Sequence, residues 1–68
     1  MATKTAAKTP TKASSEALLR KAFKACEAKD KTAAEKFFNA AIESYKACGL
    51  IGNANITASD KEHYLSQI

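Results

Sequence analysis

The sequence predicts an all-α fold: a small three-helix bundle, made of a helical hairpin and a short C-terminal helix, with a disordered basic N-terminal arm. Three observations predict this fold. Apolar residues recur at helical spacing in two stretches, helix-capping patterns precede the second and third helices, and a glycine elbow separates these two helices. The predicted arm covers residues 1–14 and the predicted helical domain residues 15–68. With 68 residues, 46% of them apolar, the chain has room for one domain.

The arm repeats lysine at every fourth position, at Lys4, Lys8 and Lys12, among threonine and alanine and without an acidic residue. Pro10 interrupts any helix built on that spacing. Low hydrophobicity combined with charge of one sign is typical of a disordered segment. We expect the arm to be either a solubilising leader or a flexible cationic segment that follows phosphates and releases their counterions.

The first predicted helix begins at Ser14 or Ser15, which serves as its N-cap. Its core-facing stripe follows the i, i+3, i+4, i+7 spacing and consists of Leu19, Ala22, Phe23 and Cys26. The opposite face is predicted to be basic and carries Arg20, Lys21, Lys24 and Lys31, interrupted by Glu27. The residues therefore predict an amphipathic helix, and a solvated charged face remains as open an interpretation as a phosphate-binding one.

The second predicted helix begins after a turn at residues 30–32, where Thr32 and Glu35 match a capping box. Its apolar stripe consists of Ala34, Phe37, Phe38, Ala41, Ile42 and Tyr45. We expect Phe37 and Phe38 to pack against Phe23 and Leu19 and to form most of the core.

The elbow "ACGLI" ends the second helix, because Gly49 stands where a left-handed residue closes a Schellman motif and Leu50 can fold back onto Tyr45. Leu50, Ile51 and Ile56 are then expected in a loop that closes the open end of the hairpin. A second capping box, from Ser59 to Glu62, predicts a short last helix. The apolar side of that helix consists of Tyr64, Leu65 and Ile68.

The residues give little support to catalysis, and we expect no enzyme, cofactor or metal site. The chain has one histidine and no glycine-rich phosphate loop. Its two cysteines do not match the paired ligand spacing of a zinc site. In the predicted hairpin, Cys26 and Cys48 lie roughly 16 Å apart along the axis, which is too far for a disulfide, so they are interpreted as small core residues. A thiol enzyme is the least favoured class.

Residues 22–51, "AFKACEAKDKTAAEKFFNAAIESYKACGLI", resemble the twentieth protein of the bacterial small ribosomal subunit. That family joins two helices through an "A-x-x-A-G-D-K-x-A-A" junction, compared here with "ACEAKDKTAA", and its "A-K-G-L-I" elbow is compared with "ACGLI". The similarity covers about residues 17–65. The family's long basic first helix is replaced here by the short arm, and of its motif after the elbow only Lys61 and Leu65 stand in comparable places. The resemblance implies a three-helix bundle that binds ribosomal RNA, with Lys61 as a remaining contact.

The leading hypothesis is an RNA-binding structural component of the small ribosomal subunit, cytoplasmic, with ribosomal RNA and a larger assembly as its partners. Its expected RNA contacts are Lys4, Lys8, Lys12, Arg20, Lys21, Lys24, Lys31 and Lys61. The alternative is a helical structural or adaptor protein, for example of a virion, that binds protein through Leu50, Ile51 and Ile56. For this alternative, Ala34, Phe38 and Ala41 also match the small, aromatic and small positions of a tetratricopeptide second helix. We expect neither a membrane span nor a small-molecule substrate.

Overall fold

Residues 11–68 are described by a computed structural model and form three helices. They are α1 (Lys12–Glu27), α2 (Lys31–Ala47) and α3 (Ile51–Leu65), joined by two short turns. The expected all-α three-helix bundle is confirmed. The predicted arm lies mostly outside the described residues, and Lys12, which was assigned to it, is the first residue of α1.

Helix α1 begins earlier than the serine caps predicted, because Thr11 caps it. The Thr11 hydroxyl accepts a hydrogen bond from the Ser14 amide at 3.1 Å, and the Ser14 hydroxyl accepts one from the Thr11 amide at 2.9 Å. The prediction of Ser14 or Ser15 as the N-cap is therefore wrong. Thr11 follows Pro10 and has the extended backbone that an N-cap needs, with φ −130° and ψ 168°. Because Thr11 is the N-cap, Ser15 lies inside the helix, where it is fully buried and contacts α2.

The N-cap of α2 is Asp30, whose carboxylate accepts from the Ala33 amide at 3.1 Å. The capping box predicted at Thr32 and Glu35 is wrong, since the helix starts at Lys31 and both residues lie inside it. The end of α1 holds Asp30 at the N-cap position, because the Asp30 amide donates to the Ala25 carbonyl at 2.9 Å.

Both turns are Schellman motifs. At the end of α2, Gly49 has φ +78° and the Leu50 amide donates to the Tyr45 carbonyl at 2.9 Å, which confirms the predicted elbow. At the end of α1, Lys29 occupies the equivalent position with φ +60°. A lysine there is less favourable than a glycine, because its Cβ crowds the carbonyl in the left-handed conformation.

Helix α3 is much longer than predicted and begins at Ile51, directly after the elbow. The predicted loop around Ile51 and Ile56 and the helix start at Ser59 are both wrong. The apolar pattern of the sequence does not predict this helix, because its inner face is made of Ala54 and Thr57, which are small or polar yet buried. The Thr57 hydroxyl is satisfied inside the helix by donating to the Asn53 carbonyl at 2.8 Å.

Helix α2 lies between the other two helices and packs against both, whereas α1 and α3 touch each other only slightly. Phe38 is fully buried together with Ala22 and Ala34, and Leu19, Phe23, Phe37 and Leu65 pack around them. The core predicted from the phenylalanines is therefore confirmed. Tyr64 links α3 to α1, with its ring centroid 5.1 Å from that of Phe23.

Candidate nucleic-acid interface

The outer face of α1 carries the main group of cations. Arg20, Lys21 and Lys24 are all exposed on the side of α1 away from its apolar stripe, with Lys21 at the edge of this side next to α2. Lys12, also exposed, lies about two turns earlier on the same helix. A rigid helix therefore holds three cations within one and a half turns, which is a suitable spacing for consecutive phosphates of a nucleic acid.

Lys21 has a second role at the boundary between α1 and α2. Its Nζ lies 5.8 Å from the centroid of the Phe37 ring, within the range of a cation–π contact. The aliphatic stem of Lys21 thus approaches a core residue that α2 leaves half-buried. Removing the whole side chain would expose Phe37, so a test of its charge needs a substitution that keeps the stem.

The remaining predicted RNA contacts do not all join this face. Lys31 is the exposed first residue of α2 and lies just across the turn from the end of α1. Lys61 is half-buried on α3, and its Nζ donates to the Asn39 amide oxygen of α2 at 2.8 Å. Lys61 is therefore separated from the α1 face by α2. Lys4 and Lys8 lie outside the described residues.

Acidic residues limit the basic face on one side. Glu16 and Glu27 stand four residues before and seven residues after Arg20, so both lie on the edge of α1 next to it. Lys21 and Lys24 are farther around the helix from these carboxylates. We therefore expect Lys21 and Lys24 to interact with a phosphate more strongly than Arg20.

A groove that the sequence did not predict runs between the C-terminal ends of α1 and α3. Its volume is about 480 Å³. Its lining is largely apolar and consists of Phe23, Cys26, Glu27, Lys29, Tyr64, Gln67 and Ile68. The groove could not be predicted from the sequence, because its formation depends on the contact between Phe23 of α1 and Tyr64 of α3, which are far apart along the chain.

The thiol of Cys26 faces this groove, and burial raises its pKa. A raised pKa disfavours the thiolate, which is the nucleophilic form of cysteine. Cys26 and Cys48 are both free and half-buried. Cys26 is therefore poorly suited to nucleophilic catalysis near neutral pH.

The protein-contact residues of the alternative hypothesis have different environments. Ile51 and Ile56 are 53% and 64% exposed on the outer side of α3, whereas Leu50 is half-buried at its N-cap. The expectation that all three close the open end of the hairpin is wrong, because the helical backbone turns both isoleucines towards solvent. Both are exposed on α3 instead.

No family model, curated protein or solved structure matches this chain. Within residues 11–68, none of the helices has the combination of length and hydropathy that crossing a bilayer requires.

Proposed function

We propose that this protein is an RNA-binding structural component of a ribonucleoprotein assembly, and that the assembly is the small ribosomal subunit, as the family resemblance implies. The single observation that carries the proposal is the exposed basic face of α1 formed by Arg20, Lys21 and Lys24. The distribution of the net charge of +4 supports it, because residues 1–15 carry Lys4, Lys8 and Lys12 and no acidic residue.

The proposed binding mode is contact with the phosphate backbone. Lysine ammonium groups act as point charges that displace condensed counterions, while base-specific reading needs forked or planar side chains aimed at base edges. From Lys12 to Lys24 the cations extend over about 18 Å of helix, which matches a stretch of a few nucleotides along one strand. We therefore expect recognition of RNA shape and charge, with modest sequence preference.

The test is the salt dependence of binding to a ribosomal RNA fragment. The double variant Lys21→Met/Lys24→Gln removes both charges and keeps an aliphatic stem over Phe37. If these lysines neutralise phosphates, the slope of log K against log salt should become shallower by about 0.7 for each lysine on single-stranded RNA. The matched control, Lys36→Gln/Lys46→Gln, removes the same charge from exposed positions of α2.

Equal slopes for the two double variants would contradict a specific role for the α1 face. Equal slopes that both differ from the unchanged protein would indicate binding through net charge alone. Recovery of the tagged chain from its native cells without ribosomal RNA would contradict the ribosomal assignment.

A second candidate function, a structural component that binds protein, is favoured by the exposure of Ile51 and Ile56. Binding through this surface should be indifferent to salt, because apolar burial supplies it. Retention of a protein partner by Lys21→Met/Lys24→Gln, together with its loss on Ile56→Glu, would favour this function over RNA binding.

A further inference from the structure

The outer side of α3 is uncharged from Ile51 to Ser59, on an otherwise charged molecule. Residues 47–59 contain no Lys, Arg, Asp, Glu or His, although 26% of the chain is Asp, Glu, Lys or Arg. The exposed side of α3 in this segment, here called the α3 face, consists of Ile51, Gly52, Asn55, Ile56 and Ser59. Ile51 and Ile56 of this face are 53% and 64% exposed.

The fold itself does not require this composition. Helix α3 packs on α2 through Ala54 and Thr57, so the α3 face lies on the opposite side. A Cβ added at Gly52 would have no atom within 4 Å in the described residues. Glycine is unfavourable inside a helix, and the absence of its Cβ permits close approach by a second backbone.

We propose that the α3 face pairs with the same face of a second copy of this chain, with the two α3 helices antiparallel. A two-fold dimer brings identical surfaces together, so a charged surface opposes itself and an uncharged one does not. The basic face of α1 is unsuitable for self-pairing for that reason. The α3 face brings isoleucines together with no like charges opposed.

Charge complementarity selects the antiparallel orientation. The N-cap of α3, Leu50, supplies no side-chain hydrogen bond, so the first-turn amides are left without a side-chain cap and the end of the helix carries partial positive charge. Glu62 is exposed on the same side of α3, one turn beyond Ser59. When two antiparallel copies overlap along the uncharged segment, Glu62 of each copy approaches the uncapped first turn of the other. A parallel pair would place Glu62 beside Glu62.

This dimer gives the protein-binding candidate its partner and does not depend on RNA binding. Since α2 separates α3 from α1, the two basic faces of the dimer would lie on its outer sides. A dimer would then present two RNA-binding faces, and the second contact would gain from its proximity to the first.

The experiment is sedimentation equilibrium of the full chain over a range of concentrations, with helicity checked by circular dichroism. The unchanged protein should show a reversible monomer–dimer equilibrium at micromolar concentration. Ile56→Glu should be monomeric with unchanged helicity, while the control Ala13→Glu, at an exposed position of α1, should dimerise normally. A chain that is still monomeric at about 300 µM would overturn the proposal.

The orientation has its own test. Glu62→Lys places a cation beside the positive first turn of the partner helix, so it should weaken the dimer at least several-fold. The control Glu43→Lys makes the same charge change at an exposed position of α2 and should leave dimerisation unchanged. Equal effects of the two variants would overturn the antiparallel pairing. Loss of RNA binding in Lys21→Met/Lys24→Gln with the dimer intact would support the separation of the two surfaces.

Discussion

At the scale of single residues, the two helix ends use different residues for the same backbone shape. Lys29 and Gly49 both have positive φ and both close a Schellman motif. Glycine adopts this conformation without steric cost, whereas an L-residue with a Cβ is disfavoured by about 1 kcal/mol or more. The end of α1 is therefore the less favourable of the two.

Replacing Lys29 with glycine should stabilise the protein by about 0.5–1 kcal/mol, because the strain at the left-handed position disappears and only part of the gain is lost to the more flexible unfolded chain. The reverse change, Gly49→Ala, should destabilise it by about 1 kcal/mol. Urea unfolding followed by circular dichroism measures both. A lower urea midpoint for Lys29→Gly would contradict the argument at the end of α1. A higher midpoint for Gly49→Ala would contradict it at the end of α2.

The thiol of Cys26 provides a second prediction at this scale. Since burial raises its pKa, the folded protein holds the thiol proton more tightly than the unfolded chain does. The associated stability is present below the unfolded pKa and is lost as pH rises through the folded pKa. In the variant Cys48→Ser, alkylation of Cys26 should therefore reach half its maximal rate at a higher pH in native buffer than in concentrated urea. Coincident pH profiles would show that the groove does not shield the thiol.

At the scale of helices, α1 and α2 are joined by a hydroxyl pair. Ser15, fully buried, donates to the Thr11 carbonyl at 2.9 Å, and its oxygen also pairs with the Ser44 hydroxyl of α2. Small side chains at this crossing allow the two helices to lie close together. The polar groups are acceptable there because each has a hydrogen-bond partner.

A double-mutant cycle should show coupling between these serines. Ser15→Ala and Ser44→Ala should each cost about 1 kcal/mol, since Ser15→Ala removes the partner of the Ser44 hydroxyl and Ser44→Ala removes one of the two side-chain hydrogen bonds of Ser15. The double variant should cost less than the sum, because both hydroxyls are then absent. Denaturant unfolding of the four proteins measures the coupling. Strict additivity would mean that the two hydroxyls do not interact.

The sequence was informative where apolar periodicity and turn chemistry agreed. Phe23, Phe37 and Phe38 were correctly placed in the core, and Gly49 was correctly placed at the end of α2, because bulky rings and a left-handed glycine have few alternatives. The starts of α1 and α2 were predicted less well, since several Ser, Thr and Asp residues near each of them offer the same capping chemistry. Tertiary contacts decide among them, as the burial of Ser15 shows.

Of the two candidate surfaces, one could be predicted from the sequence and the other could not. The exposure of Arg20, Lys21 and Lys24 was predictable, because helical spacing alone separates them from the apolar stripe. The α3 face was not, because Ala54 and Thr57 do not distinguish a buried helix face from a polar loop. The distance of Lys61 from the α1 face depends on the order in which the helices pack, and no local pattern encodes that order.

At the scale of the whole molecule, the core is small. Among residues 11–68, the large buried side chains are Phe38 and Tyr45, and most of the other buried side chains are alanines. A domain of this size buries only about 60% of the surface that its unfolded chain exposes, so its stability margin is thin. A single side-chain contact between two helices therefore has a large effect relative to the total free energy of unfolding.

The Phe23–Tyr64 contact is the clearest example, because α1 and α3 otherwise touch only slightly. Tyr64→Ala should increase amide hydrogen exchange in the last two turns of α3 and leave most of α1 and α2 protected. The control Ser59→Ala, at an exposed position of the same helix, should leave exchange unchanged. Uniformly faster exchange in all three helices after Tyr64→Ala would show that the bundle opens as one unit.

The central position of α2 has a consequence for how this protein diverges over time. Helix α2 is covered on two sides, and its buried Ala34 and Ala41 leave no room for larger side chains, so it tolerates few replacements. Residues on the outer sides of α1 and α3 are not held by the core, so they can be replaced as the binding partner changes. Distant relatives would then retain the spacing of the small residues in α2 while their surfaces share almost no identity.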